Sequence, residues 1–162
     1  MDKLIDWLPG NIPSGETVSI VHGDYRLDNM VLHATENRVA AVLDWELCTL
    51  GDPLADFTYQ LMQWIMPGEQ RGGLAGLDLK AMGIPSIEEY VAMYCERTGR
   101  SGIENLDFYF AYNSFRLAGI CQGIVGRVRD GTAASPHAVA MGERVAPLAD
   151  IAWKHAQMAG AS

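Results

Sequence analysis

Two carboxylates and one amide near the start of the chain have residue types and spacing suited to phosphoryl-group chemistry. Asp24 precedes Asn29 by five residues, and Asp44 follows Asn29 by fifteen. A positioned carboxylate can accept the proton of an attacking hydroxyl group. Carboxylate and amide oxygens are hard ligands of the kind that Mg²⁺ prefers. The three residues therefore predict a general base, Asp24, accompanied by two metal ligands, Asn29 and Asp44.

The segment around these residues resembles the catalytic loop of protein kinases, where an Asp and an Asn stand at the same offset. It begins with His22-Gly23-Asp24, and in this it is similar to the aminoglycoside phosphotransferase-like family, a branch of the protein-kinase-like fold. The specific motifs lie within residues 21–57, although the resemblance covers most of the chain. The resemblance implies ATP and Mg²⁺ as cofactors and a small molecule with a hydroxyl group as substrate.

Within that family, residues 44–48 and 51–56 resemble the group related to phosphotransferases fused to acyl-CoA dehydrogenases. Members of that group act on hydroxyacyl groups, whereas other branches act on aminoglycosides, choline-like amines, sugars and amino-acid derivatives. No motif in residues 67–85 or in the long helices selects among these substrates. The resemblance therefore predicts a small-molecule phosphotransferase without identifying its substrate.

The resemblance also implies roles for three further residues. Arg26 stands where protein kinases often carry a Lys directed at the transferred phosphate, and a guanidinium there could neutralise phosphoryl charge. His22 is expected to pack under the catalytic loop. Asp56, on the following helix, is expected to support the loop from beneath.

Most of these residues also have a simpler interpretation. Asp24 could cap the loop that follows a strand, Asp44 could cap a strand end, and Asn29 could serve only in turn hydrogen bonding. Arg26 could be an exposed loop residue without a specific role, and Asp56 could be a favourable acid in the first turn of a helix. Glu46 replaces the Gly of the corresponding kinase triplet, and its role is open.

Short apolar runs predict the strands that position these residues. Residues 18–21, 30–32 and 39–43 are β-branched or apolar, and 35–37 form a turn between the last two runs. Asp24 and Asp44 would then lie at the edges of a small hairpin region. The sequence therefore places the candidate site at strand ends.

Helical patterns dominate the rest of the chain. Residues 1–8 predict the end of a helix with Leu4, Ile5 and Leu8 on one face. A second helix is predicted from Pro53 onward, because Asp52 is a good N-cap and Pro53 suits the first helical position. Another helix is predicted from a capping box at 86–89 to about Gly99. A long helix is predicted from about 105 to 130, with one apolar stripe that includes Ile120. A final helix is predicted from 135–136 onward, with a kink or break at Pro147. The glycine-rich residues 67–85 predict a mobile loop.

These elements predict an α+β fold, mainly α, formed as one domain over residues 1–162 by a small β-hairpin region and a helical bundle. The resemblance implies the C-terminal lobe of a protein-kinase-like fold. Only about twenty residues precede the catalytic loop, too few for the N-terminal nucleotide lobe of a complete kinase. We expect that missing lobe to belong to a longer protein. The alternatives are a non-catalytic kinase-like interaction module and a metal-dependent hydrolase that uses Asp24 and Asp44.

Composition narrows the possible partners and the compartment. The 162 residues carry a formal net charge of −8, which argues against nucleic acid or an anionic membrane as a main partner. Three widely separated cysteines form neither a disulfide framework nor a paired zinc motif. The start of the sequence is too short and too charged for a signal peptide, and no apolar run reaches the length of a membrane span, so neither is expected. A cytoplasmic protein is expected, with His137 and His155 on its surface.

Overall fold

The computed structural model describes residues 1–15, 17–68, 73–133 and 138–162, in which the chain divides into two compact units. The mixed unit, Gly15–Glu104, contains all the strands of the described residues together with two helices. The helical unit combines Met1–Ser14 with Asn105–Ser162. The fold is mainly α-helical with small antiparallel sheets, which confirms the predicted class. A single domain over 1–162 stays a prediction.

The strands of the mixed unit form two small antiparallel pairs. The outer strands of this region pair with each other, and the inner two form a hairpin; their bounds are β1 Ser19–Val21, β2 Met30–Leu32, β3 Val39–Val42 and β4 Thr49–Gly51. The three predicted strands are thus present. The partner of β1, which is β4, was not predicted, because it contains a single large apolar residue, Leu50, and ends in a glycine.

Two helices complete the mixed unit: α2, Pro53–Ile65, and α3, Ile87–Thr98. The Asp52 side chain accepts the Leu54 N–H at 2.9 Å, as expected for an N-cap. Ser86 and Glu89 form the predicted reciprocal capping box. Between the helices, the described part of the 67–85 loop contains turns and an isolated β-bridge, whereas 69–72 lie outside the described residues.

The described part of the helical unit contains four helices: α1 Asp2–Trp7, α4 Leu106–Arg129, α5 Ala138–Gly142 and α6 Val145–Met158. A buried cluster of Ala118, Cys121 and Leu148 joins α4 to α6. Ala111, Ala152 and Ala156 are also fully buried. Small side chains thus contribute much of the interior of this unit.

Several expectations for the helical unit were wrong. Ile5 is 56% exposed, whereas Leu4 and Leu8 are buried, so these three residues do not share one buried face. Ile120, assigned to the apolar stripe of α4, is 46% exposed. Successive residues on an α-helix are rotated by about 100° about its axis. Ile5 and Ile120, which are next to the buried Leu4 and Cys121, therefore point away from the buried face.

Two further expectations concern α6. The break precedes Pro147, because α5 ends at Gly142 and α6 starts at Val145. Pro147 then lies in the first turn of α6, where a missing N–H leaves no helical bond unmade. The predicted start at 135–136 and the predicted surface residue His137 lie outside the described residues.

His155 is not the surface residue that was expected. Its side chain is only 12% exposed, and its Nδ1 lies 2.7 Å from the Asp107 carboxylate. Its ring also packs against Phe110, with 5.0 Å between the ring centroids. Across the described ranges, none of the helices combines the length and apolar character needed to cross a bilayer.

Candidate active site

The loop that carries Asp24 follows β1 directly and is held by the first turn of α2. The Asp56 carboxylate accepts the backbone N–H of His22 through one oxygen and that of Gly23 through the other, the second at 2.8 Å. Both N–H groups belong to the partly buried loop that follows β1. Asp56 is therefore positioned as the expected support of the loop.

The imidazole of His22 is buried, and both of its nitrogens are engaged. Its Nε2 lies 2.7 Å from the Leu43 carbonyl oxygen, and its Nδ1 accepts the Asp24 N–H at 3.2 Å. A carbonyl accepts and an N–H donates, so these partners select the tautomer with the proton on Nε2. Such a ring links the loop to the end of β3 and has no nitrogen left for proton transfer.

Asn29 connects directly to Asp24. Its Nδ2 donates to the Asp24 backbone oxygen at 2.9 Å and to the Asp24 carboxylate Oδ2 at 3.1 Å. Asn29 is buried and ends a short 3₁₀ turn, Leu27–Asn29. The five-residue spacing thus allows the amide to return to the carboxylate.

Asn29 also connects the loop to the segment that carries Asp44, through a backbone hydrogen bond. The Asn29 carbonyl oxygen accepts the Leu43 N–H at 2.8 Å, and the next register pair is Met30 with Val42. Asp44 therefore follows immediately after the hairpin contact with Asn29. Its side chain is exposed and makes no hydrogen bond or ion pair with any described residue.

The backbone of Asp44 adopts a left-handed conformation, with φ 64° and ψ 52°. Non-glycine residues rarely adopt this region, although Asp and Asn tolerate it better than most. A 3₁₀ turn, Trp45–Leu47, starts immediately afterwards. This conformation redirects the chain from β3 into that turn.

Gly23 is required by the close approach of this turn. Its φ is +83°, and a Cβ at this position would lie 2.6 Å from the Leu47 carbonyl oxygen. Both facts favour glycine, because a side chain would be strained and would also collide with backbone. The glycine of His22-Gly23-Asp24 thus allows the two loops to pack.

Arg26 lies beside the candidate base. Its Nε is 3.4 Å from the Asp24 Oδ2, and one terminal nitrogen is 3.6 Å from the Asp28 Oδ2. The Arg26 side chain is 45% exposed, so these contacts contribute little to stability. The guanidinium is therefore free to exchange its carboxylate partners for a phosphate.

The donor set fits magnesium bound together with a nucleotide. Asn29 uses Nδ2 for both hydrogen bonds, which leaves its Oδ1, and the Asp44 carboxylate is unpaired among the described residues. The described ranges contain no cluster of three or more His, Cys, Asp or Glu side chains that could hold a metal. Mg²⁺ commonly takes one or two protein ligands and completes its shell with phosphates and water.

Aromatic residues near the loop were not singled out from the sequence. The Trp45 ring centroid lies 4.7 Å from that of His22, and its indole N–H donates to the Val42 carbonyl at 2.9 Å. The Tyr25 ring is also near, with its centroid 6.1 Å from that of His22. The sequence signal that could have identified them is their position, because Tyr25 directly follows Asp24 and Trp45 directly follows Asp44. Glu46 is exposed in the 3₁₀ turn.

Comparison with known proteins now identifies the family. Residues 1–109 match the model of the phosphotransferase enzyme family. The chain therefore belongs to this family.

A solved structure from Ralstonia eutropha, described as a candidate aminoglycoside phosphotransferase, is 52% identical with a TM-score of 0.91; the match covers 97% of this chain and 48% of that one. This similarity confirms the kinase-like fold.

Two relatives confirm the predicted relation to acyl-CoA dehydrogenase-fused proteins. Acyl-CoA dehydrogenase family member 10 of Mus musculus is 41% identical over 99% of this chain, and family member 11 of Homo sapiens is 38% identical over 93%. The chain spans only 15% and 20% of their respective lengths.

Proposed function

We propose that this chain carries the catalytic residues of an ATP-dependent phosphotransferase that transfers the γ-phosphoryl group to a hydroxyl group of a small molecule. The observation that carries this proposal is the position of Asn29. Its side chain binds the Asp24 carboxylate, while its backbone oxygen binds Leu43, next to Asp44. One residue thereby links the proposed base to the proposed metal-binding segment.

Asp24 acts as the general base in this proposal. As the substrate oxygen attacks the γ-phosphorus, its proton passes to the Asp24 carboxylate, the bond from phosphorus to the β,γ-bridging oxygen breaks, and ADP leaves. The Asp24 side chain is 24% exposed, so a substrate hydroxyl can reach it. The Asn29 amide restrains the carboxylate and holds one of its oxygens.

Asn29 and Asp44 would hold Mg²⁺ through Oδ1 and the carboxylate, respectively. Bound Mg²⁺ offsets the negative charge of the nucleotide phosphates. Arg26 adds positive charge beside the reacting oxygens, and it leaves Asp24 when the phosphoryl group arrives. His22 and Asp56 act on the reaction through the backbone of the loop.

The remainder of the proposal concerns the whole protein. We propose that an N-terminal nucleotide lobe in the full-length protein completes the ATP site, and that the protein acts in the cytoplasm on a small molecule rather than on nucleic acid or membrane. The net charge of −8 supports the exclusion of polyanionic partners.

The proposal is tested on the full-length protein with Mg·ATP. Asp24→Asn should lower kcat about 10²- to 10⁴-fold, as expected for loss of a general base, while nucleotide affinity is retained. Asp44→Asn preserves the left-handed backbone and should weaken Mg-dependent nucleotide binding. Arg26→Ala should lower kcat without affecting the fold.

Glu36→Gln is a matched control, because Glu36 is an exposed carboxylate in the turn of the β2–β3 hairpin, paired with Arg38. Its kcat should equal that of the wild type. Calorimetry of the full-length protein that detects no Mg·ATP binding would contradict the proposed function and favour a non-catalytic interaction module. Phosphate release from a phosphoester in the absence of ATP would favour the hydrolase instead.

A further inference from the structure

A cavity of about 340 Å³ lies within the mixed unit and is lined by residues from β1, the catalytic loop, the 3₁₀ turn that follows β3, α2 and α3. Its volume is at the lower end of the range for small-molecule sites. Asp24, Asn29 and Asp44 are not among its lining residues. The cavity is therefore distinct from the side chains proposed to transfer the phosphoryl group.

One wall of the cavity is a stack of flat rings. Phe57 on α2 packs against Tyr94 on α3, with ring centroids 3.8 Å apart and planes 15° apart, and against Tyr90 at 5.7 Å. Trp45 and His22 contribute rings from the catalytic-loop side. Such surfaces favour a flat apolar or aromatic ligand.

Two polar side chains that line the cavity, Asp56 and His22, already have hydrogen-bond partners in the protein. The Asp56 carboxylate accepts two backbone N–H groups, and both nitrogens of His22 are engaged. Burial raises the pKa of Tyr90, an effect that the Arg97 guanidinium opposes, so its phenol stays neutral at physiological pH. None of these three side chains therefore offers a free charge to a ligand, so the charge of the ligand depends on another residue.

Arg97 is that residue. It lines the cavity, is exposed, and makes no hydrogen bond or ion pair with a described residue. Tyr90, Tyr94 and Arg97 recur at helical spacing, which places the cation on the ring-bearing face of α3. A guanidinium at an aromatic wall is suited to a carboxylate, which it can bind in a bidentate manner.

We propose that this cavity is a binding site for a small carboxylate with a flat apolar body, whose body lies against the rings of Phe57, Tyr94 and Trp45 and whose carboxylate pairs with Arg97. The site goes beyond the proposed phosphotransferase, since its occupancy requires neither ATP nor Asp24. A bound ligand would contact His22 and Asp56, which hold the catalytic loop.

The test is calorimetric titration of the full chain with 2-naphthoate in nucleotide-free buffer. Saturable binding is expected, with affinity lowered about tenfold or more in Arg97→Gln and largely restored in Arg97→Lys, as expected for loss and retention of a charged partner. The neutral analogue 2-naphthamide should bind more weakly than 2-naphthoate to the wild type, with no difference between wild type and Arg97→Gln. Arg129→Gln, which removes an exposed arginine of the helical unit, should bind 2-naphthoate like the wild type.

Indole N–H resonances give an independent readout of position. 2-Naphthoate should shift the signal of Trp45, which lines the cavity, and leave those of Trp7 and Trp153 in the helical unit unchanged. Absence of saturable binding, equal affinities of the wild type and Arg97→Gln, or an unshifted Trp45 signal would overturn the proposal. None of these outcomes bears on phosphoryl transfer, which is measured separately with Mg·ATP.

Discussion

The two oxygens of the Asp56 carboxylate accept the backbone N–H groups of two successive residues, one oxygen for His22 and the other for Gly23. The contact joins the first turn of α2 to a loop more than thirty residues earlier. Because a carboxylate accepts at both oxygens, this side chain can satisfy both donors together. The loop geometry thus depends on a residue that lies outside the His22-Gly23-Asp24 motif.

Asp56→Ala should destabilise the fold by about 2 kcal/mol or more, since it leaves two partly buried N–H groups without their charged acceptor. Asp56→Asn should also destabilise it, because the amide NH₂ would face one of the N–H donors. Denaturant unfolding monitored by circular dichroism measures both effects.

Asp52→Asn provides the control for these variants. It changes a carboxylate at the start of the same helix, but Asn is as good an N-cap as Asp, so stability should remain close to that of the wild type. Equal stabilities of Asp56→Ala and the wild type would show that the loop does not depend on this carboxylate.

Gly23→Ala should destabilise the fold more than Gly99→Ala. Both glycines have positive φ, +83° and +69°, and alanine there costs about 1–2 kcal/mol. A Cβ at Gly99 meets open space, whereas one at Gly23 would lie 2.6 Å from the Leu47 oxygen. Chemical denaturation of the two variants compares the costs directly, and similar costs would mean that the Leu47 turn yields without penalty.

Alkaline pH should weaken the mixed unit through Tyr90. Burial, reinforced by the nearby Tyr25, raises the pKa of this phenol above its ordinary value of 10.0 in spite of Arg97. A raised folded-state pKa means that the contribution of the neutral phenol is complete below about pH 10 and is lost as pH rises through the folded-state value.

Tyr90→Phe should therefore lose less stability than the wild type between about pH 9 and about pH 11. The free energy of unfolding, measured across this range, provides the comparison. Tyr112→Phe, which alters an exposed tyrosine of α4, serves as control and should follow the wild type. Parallel curves for Tyr90→Phe and the wild type would exclude the predicted linkage.

Local sequence patterns predicted the elements whose stability is largely local. The β2–β3 hairpin, the Asp52 N-cap and the Ser86 capping box depend on residues within a few positions of one another, and all three are present. The proximity of Asp24 and Asn29 follows likewise from a five-residue spacing. The catalytic roles of these residues stay predictions.

Features that depend on distant contacts were not predictable in the same way. The apolar pattern of α4 counted large side chains, but Ala111 and Ala118 are fully buried while Ile120 is exposed, because close helix packing uses small residues. His155 was assigned to the surface since its partner, Asp107, is 48 residues away. The ring stack of Phe57 with Tyr94 likewise joins α2 to α3, two helices that a long loop separates in the sequence.

The left-handed backbone of Asp44 restricts how this position can change in relatives. Of the residues that tolerate φ near 64°, Asp supplies a full negative charge, Asn supplies a neutral oxygen and Gly supplies no side chain. A relative with Gly at this position would keep the shape of the turn and lose the carboxylate. Such a protein would still match the family by sequence and by fold, but under the proposed function it would lack one of the two Mg²⁺ ligands, so a single residue here can separate an active member from an inactive one.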